Sequence, residues 1–422
     1  MAEAHPAAAG IKINRGRVVE DLQALIRIPS ITGSEEAAAT WAEAALRDLG
    51  LAVETIWPEP ALIRRDPAWP GAEMPRASLP VVIGRIGRQG RRRIVLSGHL
   101  DVVPPGDPAT WTTDPWGAEI RAGSMYGRGA CDMKGGVASI IGAIRALRDA
   151  GDLGRLDGEL IVAFVPSEED GGQGTLAAIR AGVVGDFAII TEPSNMEVVV
   201  AHAGAITFRL TVPGRAAHAS RRRNGVSALD NLWVLARALE ADETRRNDAE
   251  SDPLMAALGL PYPTIIGMVA GGEWASTVLD RVVADGRYGV RLGQSEADAE
   301  VELRACIAAA CAGDEFLRDH PATVEINGGR FGSTRIPSDH PLPVGLAETI
   351  EEVTGRRPAL LGEPYGADMR LFVNVGGTPC VIFGPGHVDV AHSADEHVPL
   401  DQVEDCARVL ATWLRRELLP GG

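Results

Sequence analysis

Residues 93–101 read Arg-Ile-Val-Leu-Ser-Gly-His-Leu-Asp, a short apolar run that opens into a glycine and two polar side chains. The apolar part has the length and composition of a strand that is buried on both faces, as in a parallel sheet. His99 and Asp101 stand where this strand ends, and Gly98 lets the backbone turn sharply just before them. In α/β sheets the ligand site lies beyond the carboxyl ends of the strands. This stretch therefore predicts an α/β sheet and also the edge at which its functional side chains gather.

Helical patterns alternate with further strands of the same kind on both sides of this stretch. Apolar residues recur at helical spacing over residues 18–28, 35–49 and 135–150, and buried strands are predicted at 159–166 and 186–190. Alternating strands and helices indicate an α/β domain with a mostly parallel sheet. Polar residues that the pattern places at the ends of its elements are Asp132, Glu168, Glu169, Glu192 and His392.

The middle of the chain follows a different pattern. Between residues 202 and 335 the predicted order is strand, helix, two strands, helix and strand, which is the ferredoxin-like split unit. Its antiparallel character predicts a separate α+β domain inserted into the first one. After residue 336 the α/β pattern resumes and ends in a helix at 400–418. The predicted division is a discontinuous domain of residues 1–201 and 336–422 with an inserted domain of residues 202–335.

Composition and charge exclude several classes of function. The 422 residues carry a formal charge of −16, which argues against a nucleic-acid or anionic-membrane partner because both repel a net anion. No apolar run is long enough to cross a bilayer, and the alanine-rich start, Met1 to Arg17, lacks the apolar stretch of a signal peptide. Five scattered cysteines without a CxxC pair indicate neither a disulfide framework nor a structural zinc site. These features predict a soluble protein of the reducing cytoplasm.

The polar residues at the ends of the predicted elements form a chemically coherent set. Two imidazoles with several carboxylates are a normal ligand set for a pair of divalent ions such as zinc. Glu168 and Glu169 are adjacent carboxylates that repel each other, and a cation that neutralises them explains their place after a buried strand. The alternative explanation is a helix N-terminus, where acidic residues are also favoured.

Four motifs carry a resemblance to a known family. Residues 97–104 (Ser-Gly-His-Leu-Asp-Val-Val-Pro) resemble the first signature of the M20 metallohydrolases, and residues 126–136 (Tyr-Gly-Arg-Gly-Ala-Cys-Asp-Met-Lys-Gly-Gly) resemble the second. Residues 166–172 and 391–396 are similar to the later signatures, and the resemblance extends from about Val18 to the C-terminus. The family includes acetylornithine deacetylase, succinyl-diaminopimelate desuccinylase, aminoacylases, carboxypeptidases and dipeptidases.

The resemblance implies a metal centre with two zinc ions per subunit, for which cobalt or manganese can substitute. Carried over by position, Asp132 bridges the two ions. His99 and Glu192 complete the shell of one ion, although the family uses either Asp or Glu at position 192. Glu169 and His392 complete the shell of the other ion.

The resemblance also implies roles for three residues that do not bind metal. Asp101 holds the His99 ring by a hydrogen bond, and Glu168 is the general base that takes a proton from the attacking water. His218, within Pro-Gly-Arg-Ala-Ala-His-Ala-Ser at 213–220, matches a lid histidine that reaches the active site of the partner subunit. A homodimer is therefore implied.

Substrate recognition is predicted at three positions. Arg287 occupies the place of an arginine that faces the substrate carboxylate, and the alternative is a strand arginine in solvent. Ser276 stands where many relatives have an asparagine that contacts substrate. Asp368 lies within residues 366–370, where relatives have a substrate-side loop.

The leading functional hypothesis is a deacylase of N-acyl amino acids, with acetylornithine deacetylase as the best single candidate. A dipeptidase or carboxypeptidase that cleaves a peptide bond, and a succinyl-diaminopimelate desuccinylase, are alternatives with the same metal site. In each case the partner molecule is a small N-acyl amino acid or dipeptide. The remaining alternative, a non-catalytic relative that only binds ligand, predicts the loss of the base or of a ligand, and all of these residues are present.

Overall fold

The computed structural model of the chain describes residues 10–88 and 90–420, so most of the alanine-rich start lies outside the described residues. The helices, α1 to α10 in chain order, span Arg15–Ile26, Glu36–Asp48, Pro60–Ile63, Gly135–Asp149, Gln173–Arg180, Ala228–Asp248, Pro253–Ala256, Glu296–Gly313, Pro341–Thr354 and Leu400–Leu418. The strands, β1 to β16, span Ala52–Ile56, Val81–Gly87, Arg92–His99, Glu119–Arg121, Ser124–Tyr126, Gly158–Val165, Phe187–Ile190, Val198–His202, Gly204–Pro213, Thr264–Gly271, Arg281–Val290, Thr323–Phe331, Thr334–Arg335, Leu360–Glu363, Cys380–Ile382 and His397–Pro399.

The large sheet is mixed, and its centre is parallel. Its order is β1-β2-β6-β3-β7-β15-β8-β13, with β14 pairing on β8. The four central strands β6, β3, β7 and β15 run parallel to one another. The pairings of β1 with β2, of β2 with β6 and of β15 with β8 are antiparallel. β6 is buried almost throughout, as its run of branched and aromatic residues requires. The predicted α/β architecture is confirmed.

Helices cover the central strands and hold them in place. α4 packs against α1, α10 and β3, whereas α2 and α5 contact β2 and β6. Their apolar side chains join those of the sheet in one large core. Because this core encloses the parallel strands, the polar residues that follow those strands emerge together at one edge of the sheet.

The middle of the chain forms a separate, antiparallel sheet. Its order is β10-β11-β9-β12, and α6 and α8 pack on it around a core of their own. Side chains along β9 alternate between buried and half-buried, as the sequence pattern predicts. The order β9-α6-β10-β11-α8-β12 is the predicted β-α-β-β-α-β unit.

The two segments that join the sheets run side by side. β8 ends at His202 and pairs with β13, Thr334 lying opposite His202, and both strands belong to the large sheet. The small sheet itself lies within residues 204–331. The division of the chain at residues 201 and 336 stays a prediction. β13 belongs to the large sheet although Thr334–Arg335 falls inside the predicted insert, and so does His202, the last residue of β8.

The helices and the cysteines of the described residues can be compared with two predictions from the sequence. Within residues 10–88 and 90–420, no helix combines the length and the hydrophobicity that a bilayer span needs. All five cysteines are free, and four of them are buried.

Because α4 lies close to the end of β7, a single methyl group added to α4 at this contact should destabilise the protein. A Cβ atom at Gly136 would lie 2.0 Å from the backbone oxygen of Thr191, the residue before Glu192. Gly136→Ala therefore forces backbone displacement, and we expect it to lower the free energy of unfolding by about 1–3 kcal/mol in urea titrations. Gly154→Ala is the control, because a Cβ atom there meets nothing within 4 Å. Equal stability of the two variants would contradict the close packing of α4.

Candidate active site

Three parallel strands bring distant residues to one edge of the large sheet. β3 ends at His99, which lies beside Val165 at the end of β6, and Ser97 of β3 lies beside Ile190 of β7. The chain leaves β6 into Glu168 and Glu169 and leaves β7 into Glu192. The polar residues that the sequence places after strands therefore become neighbours.

The carboxylate of Asp132 lies between two imidazole rings. Its Oδ1 is 3.0 Å from Nε2 of His99, and its Oδ2 is 3.3 Å from Nε2 of His392. Each ring also meets a glutamate: His99 Nε2 is 3.5 Å from Oε2 of Glu192, and His392 Nε2 is 3.0 Å from Oε2 of Glu169. The predicted ligands thus form two groups that share Asp132, in the grouping that the resemblance implies.

The electrostatics of this cluster call for positive charge. Burial raises the pKa of Glu192 to about 8, and the carboxylates of Asp132 and Glu169 act in the same direction. Burial and then Asp132 raise the pKa of Glu169 as well. Burial opposes the charged form of His392, but hydrogen bonds to Asp132 and Glu169 outweigh it and raise the pKa of the ring to about 11. Buried carboxylates that outnumber the imidazoles are stabilised by a cation.

The donor set fits divalent metal ions. Donor atoms of His99, Asp132 and Glu169 lie within 4.8 Å of one another, as do donor atoms of His99, Glu168 and Glu192. Oε1 of Glu192 is buried and has no hydrogen-bond partner among the described residues. Imidazole nitrogens and carboxylate oxygens are ligands that zinc, cobalt and manganese accept. The cluster is therefore a candidate metal centre.

Glu396 holds the backbone of Asp132 in place. Its Oε1 accepts hydrogen bonds from the N–H groups of Cys131 (2.9 Å) and Asp132 (3.0 Å). The guanidinium of Arg128 donates to the other carboxylate oxygen, and both side chains are buried. Two of the sequence motifs, 126–136 and 391–396, are thus joined by this ion pair, which orients Asp132.

Asp101 supports the site in a way that differs from the prediction. Nδ1 of His99 is 2.8 Å from the backbone carbonyl oxygen of Asp101, whereas the Asp101 carboxylate lies 3.7 Å from that nitrogen. The carboxylate accepts hydrogen bonds from the N–H groups of Glu168 (3.1 Å) and Glu169 (3.2 Å) instead. These N–H groups follow a buried strand and need an acceptor, which the carboxylate supplies. Asp101 thus orients the ring with its main chain and the two glutamates with its side chain.

Glu168 brings a buried carboxylate to the cavity. Its side chain lines the cavity next to the metal-ligand cluster and is only 8% exposed. Burial raises its pKa well above the ordinary value, with the carboxylates of Asp368 and Glu192 adding to the effect. A carboxylate with a raised pKa is a stronger base when ionised, which suits proton transfer near neutral pH.

A cavity of about 330 Å³ lies between the cluster and the small sheet. Arg287 of β11 lines it, and its guanidinium lies 4.9 Å from the centre of the Phe331 ring. Ile265 and Phe331 add apolar surface from the same sheet. The cavity thus combines a cation, apolar walls and the histidine–carboxylate cluster.

Three predicted residues lie elsewhere. His218 is exposed and its Nδ1 is 2.9 Å from Oγ of Ser220, and it does not line the cavity of its own chain. Ser276 also lies outside the cavity, where its carbonyl oxygen accepts a hydrogen bond from Ala219. Asp368 is buried below the cavity wall and accepts a hydrogen bond from Thr175. Asp368 does not line the cavity, and its carboxylate adds to the effect that raises the pKa of Glu168.

Three residues far along the chain contribute to the site although no role is predicted for them. Tyr365 and Phe331 line the cavity, and Glu396, the last residue of the motif 391–396, accepts the hydrogen bonds that hold the backbone of Asp132. Tyr365 directly precedes residues 366–370, where a substrate-side loop is predicted, and this adjacency is the sequence signal that could have identified it. Nothing in the local pattern of Phe331, the last residue of β12, distinguishes it from an ordinary strand residue.

Comparison with known proteins agrees with this arrangement. Residues 95–416 match the sequence model of peptidase family M20/M25/M40. The chain is 30% identical to succinyl-diaminopimelate desuccinylase of Gluconacetobacter diazotrophicus over 409 residues, covering 93% of this chain and 94% of that protein.

Solved structures show the same fold. The M20 family metallo-carboxypeptidase of Sulfolobus solfataricus is similar with a TM-score of 0.73 at 17% identity, covering 95% of this chain and 99% of that one. A dinuclear metal-binding peptidase of the M20 family from Bacillus subtilis is similar with a TM-score of 0.59 at 14% identity, covering 95% and 97%. The family match covers most of the chain, including the strand ends that form the cluster. The chain belongs to peptidase family M20/M25/M40 and is a hydrolase of amide or peptide bonds.

Proposed function

We propose that this chain hydrolyses the amide bond of an N-acyl amino acid with a free carboxylate. The observation that carries the proposal is the presence of Arg287, Glu168 and the histidine–carboxylate cluster around one cavity. Arginine binds a carboxylate with two parallel hydrogen bonds, which leaves the amide bond of such a substrate near the cluster. Binding of the non-reacting end then orients the reacting end.

The proposed cofactor is a pair of divalent ions, zinc by prediction. His99, Asp132 and Glu192 would hold one ion, and Asp132, Glu169 and His392 the other. When bound, such ions polarise a carbonyl group and lower the pKa of water. The unpartnered Glu192 oxygen and the excess of buried carboxylates support this assignment.

Glu168 performs the proton transfers. Its carboxylate accepts a proton from the attacking water and then gives it to the amide nitrogen as the carbon–nitrogen bond breaks. The products are the free acid of the acyl group and the free amino acid. Burial of Glu168 and its hydrogen-bonded backbone hold the carboxylate at the cavity wall throughout.

Two acyl groups are candidates within this class. An N-acetyl substrate such as acetylornithine is the best single candidate from the sequence, although the motifs are common to the whole family. The similarity to a desuccinylase over 93% of the chain favours an N-succinyl substrate. A peptide bond is the third possibility, supported by the structural likeness to a carboxypeptidase. All three substrates present a free carboxylate beside the bond to be cleaved.

The proposal is tested on purified protein with a panel of N-acetyl, N-succinyl and N-formyl amino acids beside dipeptides. We expect at least one N-acyl amino acid to be hydrolysed, up to two equivalents of divalent metal by elemental analysis, and loss of hydrolysis on chelation. Hydrolysis of dipeptides alone would replace the deacylase proposal with the peptidase one. Full activity in metal-free protein would refute both.

Glu168→Gln isolates the proton transfer, because glutamine keeps the shape of the side chain and cannot accept the proton. We expect kcat to fall by about 10²–10⁴-fold while metal content and KM stay the same. Glu273→Gln, on the exposed loop after β10, is the matched control and should leave kcat unchanged. Near-normal turnover by the Glu168 variant would assign the proton to another group.

Arg287→Ala tests recognition of the carboxylate. We expect kcat/KM to fall for substrates with a free carboxylate and to change little for their methyl esters or amides, because only the former use the guanidinium. Arg281→Ala is the control, since Arg281 is exposed on the same strand and does not line the cavity. Equal losses for acids and esters would show that Arg287 has a structural role only.

The lid, defined as residues 202–335, is proposed to form a homodimer that brings His218 to the partner's site. β10 is an edge strand, and its Ile265, Met268 and Val269 side chains are 59%, 67% and 54% exposed. Trp233 on the adjacent α6 is 61% exposed. A row of exposed apolar residues on a free strand edge favours pairing with another chain.

Mixed dimers test this arrangement. His218→Ala protein and Glu168→Gln protein are each expected to be inactive, but a mixed dimer has one site with intact Glu168 and with His218 from the other chain. We expect a sizeable fraction of activity to return after subunit exchange, measured by turnover beside light scattering for the dimer mass. The control is a mixture of Glu168→Gln protein with a variant that carries both Glu168→Gln and His218→Ala. It should stay inactive, because no site in it has an intact Glu168. No recovery despite proven exchange would place His218 in its own chain's site or outside catalysis.

A further inference from the structure

Arg287 and Phe331 lie on the same face of the small sheet, on the two strands that flank β9. Arg287 of β11 is paired with Thr207 of β9, and Phe331 of β12 is paired with Ala205 of β9. Residues two positions apart on a strand share a face, and Arg287, Ala205 and Phe331 all line the cavity. The guanidinium of Arg287 therefore crosses β9 beside the small Ala205 and lies over the Phe331 ring, 4.9 Å from its centre.

The Phe331 ring has a fixed position in the cavity wall. The residue is only 3% exposed, and the backbone at Gly366 packs so closely that a Cβ atom there would lie 2.5 Å from Cβ of Phe331. The buried guanidinium of Arg370 lies 4.4 Å from the ring centre. Arg370 is itself held, because it donates to the backbone oxygens of Ala367 (2.8 Å) and Gly171 (2.6 Å). The ring is thus a rigid surface for a second guanidinium.

Contact with a ring leaves the hydrogen-bond donors of Arg287 available to a ligand. Arg209, on the same face of the sheet, shows the contrast: it donates two hydrogen bonds to Asp285, at 2.7 and 2.8 Å, so its donors are used within the protein. An aromatic face attracts a guanidinium through its charge and does not occupy the N–H groups in the guanidinium plane. These N–H groups are the ones that bind a carboxylate in parallel.

A guanidinium that is oriented in advance binds a carboxylate better than a free one. Arginine is a long side chain with many rotamers, and Arg287 is exposed on its strand. Binding must fix one rotamer, and the entropy lost in doing so weakens the affinity. Stacking on Phe331 restricts the side chain before the substrate arrives.

We propose that Phe331 is a positioning residue that holds the guanidinium of Arg287 in the orientation that binds the substrate carboxylate. This inference rests on the proposed function and explains how its carboxylate subsite is built. Phe331 acts through Arg287 and has no part in the proton transfers. Because the ring packs against residues 366–370, which follow β14 of the large sheet, the contact also fixes the subsite relative to that sheet.

Phe331→Leu removes the ring and keeps an apolar side chain. We compare the free acid and the methyl ester of the N-acyl amino acid or dipeptide that the wild-type protein hydrolyses fastest. For the acid we expect kcat/KM to fall by about 3–30-fold, mainly through a higher KM, because a cation–π contact is lost. For the ester we expect little change. Phe331→Met fills more of the space and replaces the leucine variant if that variant does not fold.

A double-mutant cycle with Arg287→Ala separates positioning from packing. In the Arg287→Ala background, Phe331→Leu should leave the ratio of acid to ester kcat/KM unchanged, because no guanidinium remains to be held. Phe208→Leu is the matched control, since Phe208 is buried on the opposite face of β9 in the core of the small sheet. It should lower the unfolding temperature and leave the ratio unchanged. Equal losses for acid and ester in Phe331→Leu, or the same loss with and without Arg287, would overturn the inference.

Nuclear magnetic resonance tests the contact without any substrate. The Nε–H signal of Arg287 in nitrogen-labelled protein, assigned by its loss in Arg287→Lys, should be displaced by the ring current of Phe331. It should move in Phe331→Leu and stay in place in Phe208→Leu. A signal that does not move in Phe331→Leu would overturn the inference. Failure of the proposed function is a separate result, in which the wild-type protein hydrolyses no N-acyl amino acid.

Discussion

The carboxylate of Asp132, lying between the imidazoles of His99 and His392, is the contact on which the arrangement of the site depends. Its two oxygens face different rings, and each ring faces a different glutamate. The carboxylates of Asp132, these two glutamates and Glu168 are buried or half-buried side by side. They cannot all stay ionised without positive charge between them. This need for positive charge explains why two imidazole rings lie among the carboxylates and why the cluster suits divalent ions.

Buried ion pairs around the cluster hold its backbone. Glu396, paired with Arg128, accepts the N–H groups at Asp132. On the other side, Arg76 bridges Glu35 and Asp170 at 3.2 Å each, and all three side chains are nearly inaccessible. Breaking such a buried pair leaves an uncompensated charge, so these contacts make the loops of the site rigid. A rigid set of ligands and donors does not need to reorganise during the reaction.

The small sheet completes the site from outside the large domain. It contributes Arg287, Ile265 and Phe331 to the cavity, and Ile265 belongs to the exposed edge strand β10. Phe331 also lies 4.4 Å from the guanidinium of Arg370, which is buried. The cavity is therefore lined by residues from two sheets, whereas the histidine–carboxylate cluster comes from the large sheet and the loops beside it.

The sequence by itself determined the family, the α/β and inserted α+β architecture, and the set of polar residues that gather at the strand ends. It could do so because a buried parallel strand has a recognisable apolar run, and because parallel strands bring their carboxyl ends to the same edge. Polar residues that follow such runs are neighbours in any fold of this class. Their roles as metal ligands and base stay predictions that the geometry supports.

Only the tertiary structure decided which atoms meet. A difference of about one ångström decides whether Asp101 contacts His99 through its carboxylate or its backbone carbonyl. Nδ1 of His99 lies 2.8 Å from the carbonyl oxygen and 3.7 Å from the carboxylate. Ser276 and Asp368 lie outside the cavity, and Tyr365 lies in it, because packing between segments far apart in sequence sets those positions. Local periodicity carries no record of such contacts, since each depends on side chains from several elements at once.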